Sequence, residues 1–170
     1  KETKPVLFLG EWCKLYSRKH LWQNMDSEVV PFQWDDRSKL YQDQIDLLLL
    51  YESLLEELSN KLNSIHSVNY SMRYWRILIG PWLFGFVTVL YDRWCSVEKA
   101  ISSFEISETV ILDYSLEECT PQNMKHYLIL SKSDEWNHFI YSLILKKQKF
   151  TKTVEENFNA SHHSIPTIPI

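Results

Sequence analysis

Glycine is scarce in this chain, at three residues in 170. Neither a G-x-G-x-x-G turn nor a Walker loop is present, which weighs against a free-standing nucleotide-binding protein. A G-x-S-x-G elbow and an H-E-x-x-H pair are missing as well, so two common hydrolase chemistries have no starting point. Cysteine is nearly as rare: Cys13, Cys95 and Cys119 are odd in number and far apart. They fit a reduced compartment and offer neither a disulfide framework nor metal-ligand spacing. Positive charge is also short. A formal net charge of -4 with a pI near 5.9 gives no basic footprint for nucleic acid. The most apolar window, residues 77–90, contains Gly80, Pro81 and Gly85 and is bounded by Arg76 and Asp92. By itself it falls short of the roughly 20 residues that span a bilayer, so the expectation is a buried soluble helix. No signal-like segment precedes the first apolar run, and the Asn69 and Asn159 glycosylation matches read as chance, which together point to the cytoplasm.

What the chain does have is apolar bulk. Apolar residues make up 45% and aromatics 14%, with seven Trp, enough for one domain with a core. Large rings in clusters also suit flat ligands such as sugars and bases.

Residues 5–10, PVLFLG, form a short apolar run ending in glycine, the pattern of a buried parallel strand. Glu11 and Trp12 follow at once. Residues just past a strand's carboxyl end face the ligand crevice of an open α/β sheet, which makes Glu11 a candidate general base. The alternative is a surface pair with Lys14 or Arg18. Residues 29–32 read as a second strand, with Pro31 at its edge or end. Trp34, Asp35 and Asp36 come next; one aspartate caps the following helix, and the other stays available beside Trp34 for a ligand.

From residue 38 to 65, Leu40, Leu47, Tyr51, Leu54, Leu58, Leu62 and Ile65 step at helical intervals. Residues 64–70 break that helix, and Ser71 is placed to cap the next. Arg73 and Arg76 then fall in the first turns of a helix whose N-terminus is already partly positive. They need a negative partner, either a carboxylate of the chain or an external anion such as phosphate. His66 lies in the same neighbourhood. The second helix carries Trp82, Phe86, Leu90 and Trp94 at steps of four and is expected to be the central buried helix, kinked at Gly80-Pro81. Residues 109–113 give a third strand, and Pro121 is expected at the first position of a further helix. A last helix starts near Trp136, bringing His138 close to its beginning; after Phe150 periodicity is lost. The fold expectation is α/β: a small parallel sheet of about three strands under two long helices and shorter ones, with a domain over residues 1–150 and a linker or lead-in over 151–170.

Several motifs in order carry a resemblance. The runs LFLGEWC with LYSRK, WDDR with LY, SMRYWRILIGPW, YDRW and DEWNH resemble the N-terminal part of a family of transferases from bacterial surface-carbohydrate biosynthesis loci. The resemblance implies an N-terminal, acceptor-side domain of a two-domain, glycosyltransferase-like enzyme. Its partners would be its own C-terminal domain and a sugar or lipid-linked acceptor, with no nucleic acid and with a peripheral place at a membrane. No cofactor is expected in this stretch; a nucleotide-sugar donor would bind the C-terminal domain. On that reading Glu11 or His66 is the base, Trp12 and Trp34 stack on sugar, Arg73 and Arg76 hold phosphate, and Asp36 and His138 complete the substrate contacts. The competing reading is a non-catalytic docking module built on the aromatic-rich helix.

Overall fold

The computed structural model describes residues 4–112 and 114–150 with their side chains, and the backbone of residues 153–156. The elements run β1 (Val6–Phe8), α1 (Lys19–Trp22), β2 (Ser27–Val29), α2 (Arg37–His66), α3 (Met72–Ser103), β3 (Thr109–Leu112), α4 (Leu116–Cys119), α5 (Met124–Leu130), α6 (Asp134–Lys147) and β4 (Thr153–Glu156). Helix dominates. Parallel pairing is present as expected, but in two separate two-stranded sheets, β1 with β2 and β3 with β4. The chain divides into two compact units, residues 36–92 and residues 1–35 with 93–170.

The first of these units is a helical hairpin. Asp36 begins it: its carboxylate accepts from the backbone N–H of Ser38 and Lys39, satisfying two donors that a helix start leaves open. Along α2 the buried positions are Asp43, Leu47, Tyr51, Leu55 and Ser59, a row stepping by four. The expected stripe ran slightly to one side of this row, and its last member, Ile65, is exposed. Ser67 ends the helix in the left-handed conformation, and Val68 N–H reaches back to the Asn63 carbonyl.

Asn63 then organises the turn. Its amide donates to the Tyr70 carbonyl at 2.9 Å, and its oxygen accepts from Tyr70 N–H at 3.1 Å and from the indole of buried Trp75 at 2.9 Å. With that turn fixed, α3 runs antiparallel to α2. Leu83 and Val87 pack on Leu47, Tyr51 and Leu55 to form the core. Ser71 caps α3 as expected, accepting from Tyr74 N–H.

The helix continues through Gly80-Pro81 for its full 32 residues. Gly80 has a packing reason to be there, because a Cβ would stand 2.7 Å from the Tyr51 hydroxyl. The expectation of a fully buried α3 does not hold: Trp82 and Phe86 are half-buried, stacked on each other at 5.3 Å, and Trp94 is exposed. The buried row is instead Leu83 and Val87, one position on. Among the described residues α3 is also the one helix long and apolar enough to cross a membrane, and 22% of its most apolar window is buried.

In the other unit Trp136, fully buried on α6, donates its indole N–H to the Cys119 carbonyl at 3.0 Å and meets Tyr127 edge-on. Asn137 secures the turn from α5 to α6: its amide donates to the carbonyls of Ser131 and Ser133, and its oxygen accepts from the Arg93 guanidinium. Ser133 caps α6, with Asp134 and Glu135 in the first turn and Lys146 and Lys147 in the last, both complementing the helix dipole. Three sequence expectations shift here. β2 ends at Val29, before Pro31; α5 begins after Asn123, whose side chain caps it, so Pro121 lies outside; and β4 pairs with β3 where periodicity had failed. Asp113, expected to close the third strand, and the other expected linker positions lie outside the described residues.

Three substitutions on the hairpin have stability outcomes. Asn63→Ala strands the buried Trp75 N–H and should cost about 2 kcal/mol in urea denaturation. Gly80→Ala should destabilise by about 1 kcal/mol, since overpacking against Tyr51 outweighs the gain in helix propensity. In a Tyr51→Phe background, which removes the hydroxyl, the same substitution should become stabilising. Gly85→Ala, with nothing within 4 Å of the added Cβ, should stabilise in either background.

Candidate functional site

The residues singled out from sequence fall in both units. Asp36, His66, Arg73 and Arg76 belong to the hairpin; Glu11, Trp12, Trp34 and His138 belong to the other unit.

On the hairpin the question of the two arginines divides. Arg76 makes a bidentate pair with Glu52, at 2.5 and 2.6 Å, and lies over the Tyr51 ring. Hydrogen bonding to Arg76 holds the Glu52 carboxyl below its ordinary range, and the same bonds push the Arg76 guanidinium up. The internal carboxylate has taken Arg76. Arg73 is exposed and has no partner among the described residues. His66, also exposed, ends α2 and stacks on Trp75 with centroids 6.5 Å apart. The carboxylate of Asp36 is engaged by the helix cap, which makes Asp35 the aspartate not used there.

In the other unit β1 delivers the chain through Gly10 into a single turn, Glu11–Cys13. The Trp12 ring folds back over Gly10 so closely that any Cβ there would overlap it. Trp12 meets Phe32 edge-on at 6.1 Å, and Phe32 meets Trp34 edge-on at 5.7 Å. The result is a row of three rings, with Trp12 45% and Phe32 38% exposed. Glu11, beside it, is exposed and only loosely paired with Lys14 at 3.9 Å. A partly exposed aromatic row with an open carboxylate can stack on a sugar ring and accept from its hydroxyls.

The same unit contains a cleft of about 640 Å³. One wall is the end of α3 and the residue after it, through Val97, Ala100, Ile101 and Phe104; the facing wall is α6, through His138, Tyr141, Ser142 and Leu145. Both sets are spaced at i, i+3, i+4 and i+7, one helical face each. Of the expected site residues only His138 lines it. Its Nε2 accepts from the Leu112 backbone N–H at 3.0 Å, and burial pushes its pKa down from 6.5. The neutral ring therefore holds β3 to α6. Sequence reading missed the cleft because its wall residues have ordinary core spacing, apolar on α3 and mixed on α6.

Two of the thiols, Cys13 and Cys119, are not activated. Burial pushes Cys119 up to about 11, with help from Glu118, and raises Cys13 as well. Among the described residues no group of three His, Cys, Asp or Glu is arranged to hold a metal ion.

The family model for LIC12162 family transferases matches residues 1–167. The chain belongs to that family. No curated protein and no solved structure matches it. Membership supports the transferase resemblance drawn from the motifs, at the level of a transferase family.

For this transferase, His138 sets a pH dependence. A lowered folded-state pKa means the unfolded chain binds more protons, so the contribution is complete above pH 6.5 and is lost as pH falls through the lowered value. Stability should decline as pH is lowered from 6.5, and His138→Gln should flatten that decline in urea midpoints measured across the range. An unchanged slope would show that this imidazole is not responsible.

Proposed function

We propose that the chain is the acceptor-side part of a glycosyltransferase-like enzyme acting in the cytoplasm on a precursor of a bacterial surface polysaccharide. The observation carrying this reading is the Trp12–Phe32–Trp34 row beside the open Glu11 carboxylate, in a chain that belongs to a transferase family. Trp12 and Trp34 stack on the acceptor sugar, and Glu11 takes the proton from the attacking hydroxyl. Glu11 is favoured over His66 because it shares a turn with Trp12, whereas His66 is stacked on Trp75. Separately, on the hairpin, Arg73 is the remaining cation for a phosphate contact, since Arg76 is already paired. The nucleotide-sugar donor binds outside these 170 residues.

A second reading has its own observation. Tyr74, Ile77 and Leu78 lie on one face of α3 and are exposed, Ile77 by 71%, which suits docking to a partner or to a membrane face.

The decisive measurement is nucleotide release from a panel of nucleotide sugars, using the full enzyme with envelope lipid extract as acceptor. Glu11→Gln should lower kcat by about 100-fold or more, the scale of general-base catalysis. Trp12→Ala should raise KM for the acceptor about tenfold, which corresponds to one lost ring contact. Wild-type turnover and KM in both variants would sink the assignment.

A further inference from the structure

The cleft between α3 and α6 is separate from the aromatic row, and none of Glu11, Trp12, Phe32 and Trp34 lines it. Its size lies within the range of small-molecule sites, roughly 300–1,000 Å³. Residues of β1 and β3, among them Val6, Leu7, Val110 and Ile111, complete its lining between the two helices. Its body is apolar: Val97, Ala100 and Ile101 on α3, Phe104 just past its end, Leu145 on α6 and Phe150 after it contribute side chains. The polar side chains of the α6 wall are His138, Tyr141 and Ser142; His138 already uses Nε2 to hold the Leu112 N–H, and the Ser142 hydroxyl donates to the His138 carbonyl.

The rim has the opposite character. Lys4, Glu28, Glu105 and Glu108 all border the cleft, and all are exposed. Lys4 pairs with Glu108 at 2.9 Å, which neutralises both. Glu28 and Glu105 are left with no partner among the described residues. Two unpaired carboxylates at the mouth of an apolar cleft repel a carboxylate or phosphate head and attract a cation, and low-dielectric walls focus that field.

We propose that this cleft is a binding site for an elongated apolar molecule with a cationic head, its hydrocarbon lying between α3 and α6 and its charge at Glu28 and Glu105. The proposal rests on the cleft alone and is independent of the acceptor reading.

The test is displacement of the neutral fluorophore N-phenyl-1-naphthylamine from the full chain by dodecylamine, dodecanol and dodecanoate, each below its micelle concentration. These share one chain and differ in head charge. Dodecylamine should bind at least tenfold more tightly than dodecanoate, with dodecanol between. The double variant Glu28→Lys/Glu105→Lys changes exposed residues only and should invert the order. Ile101→Trp, at a partly buried wall position, should weaken all three at least tenfold; Leu145→Trp serves the same purpose from the facing helix should the first variant not fold. Absence of displacement, equal affinity for the three heads, or an order unchanged by the charge reversal overturns the proposal. So does binding that both Trp variants leave intact.

Discussion

Two asparagine side chains hold the helical turns on which the rest of the structure depends. Asn63 meets three groups around the α2–α3 turn, and Asn137 ties the carbonyls of Ser131 and Ser133 to the Arg93 guanidinium at the α5–α6 turn. Each amide supplies donors and an acceptor in one plane, so one side chain can satisfy backbone groups of both signs that a tight turn would otherwise leave open. The consequences spread along the helices. With Asn63 fixing where α3 begins relative to α2, Arg76 falls opposite Glu52 and Gly80 opposite Tyr51. The ion pair is exposed and of itself contributes little to stability; the register that produces it is set by the turn.

Helix ends were the most legible part of the sequence, because they are written in local chemistry. Asp36, one of the two aspartates offered for the cap, and Ser71 each accept from the backbone N–H groups of the turn they open, and the long amphipathic stretch predicted α2 to within a residue or two at either end. Strands were less legible. Each pair here is three or four residues long and parallel, so its partners are distant in sequence and no hairpin turn announces them. β4 was missed for that reason. The burial of α3 was misjudged for another: apolar residues nearly all round a helix indicate many faces able to be buried, and only Trp75, Leu83 and Val87 on the hairpin actually are.

The motifs that carried the family resemblance turn out to do much structural work. In SMRYWR, Trp75 meets Asn63 and Arg76 meets Glu52; in YDRW and DEWNH, Arg93 meets Asn137; Asp134 pairs with Arg18, and His138 holds β3. In this chain these residues cross-link the scaffold. That is why they located the fold better than the chemistry. Side chains stay partly uncommitted in the stretch after β1, where Glu11 and Trp12 follow Gly10 and face solvent, and at exposed Arg73 in SMRYWR.

Apolar surface is left open in two different forms, and curvature separates what each can do. The Tyr74, Ile77 and Leu78 face of α3 is convex, as any single helix is, so only a large complementary surface can remove it from water. The cleft is concave, and a small molecule entering it loses water on most of its own surface while contacting two helices at once. Selectivity then passes to the charges at the mouth. Hydrocarbon walls accept any chain of the right length almost equally, because burial is roughly proportional to area and without direction. Discrimination among chains must therefore come from Glu28 and Glu105, through repulsion of the wrong head group as much as attraction of the right one.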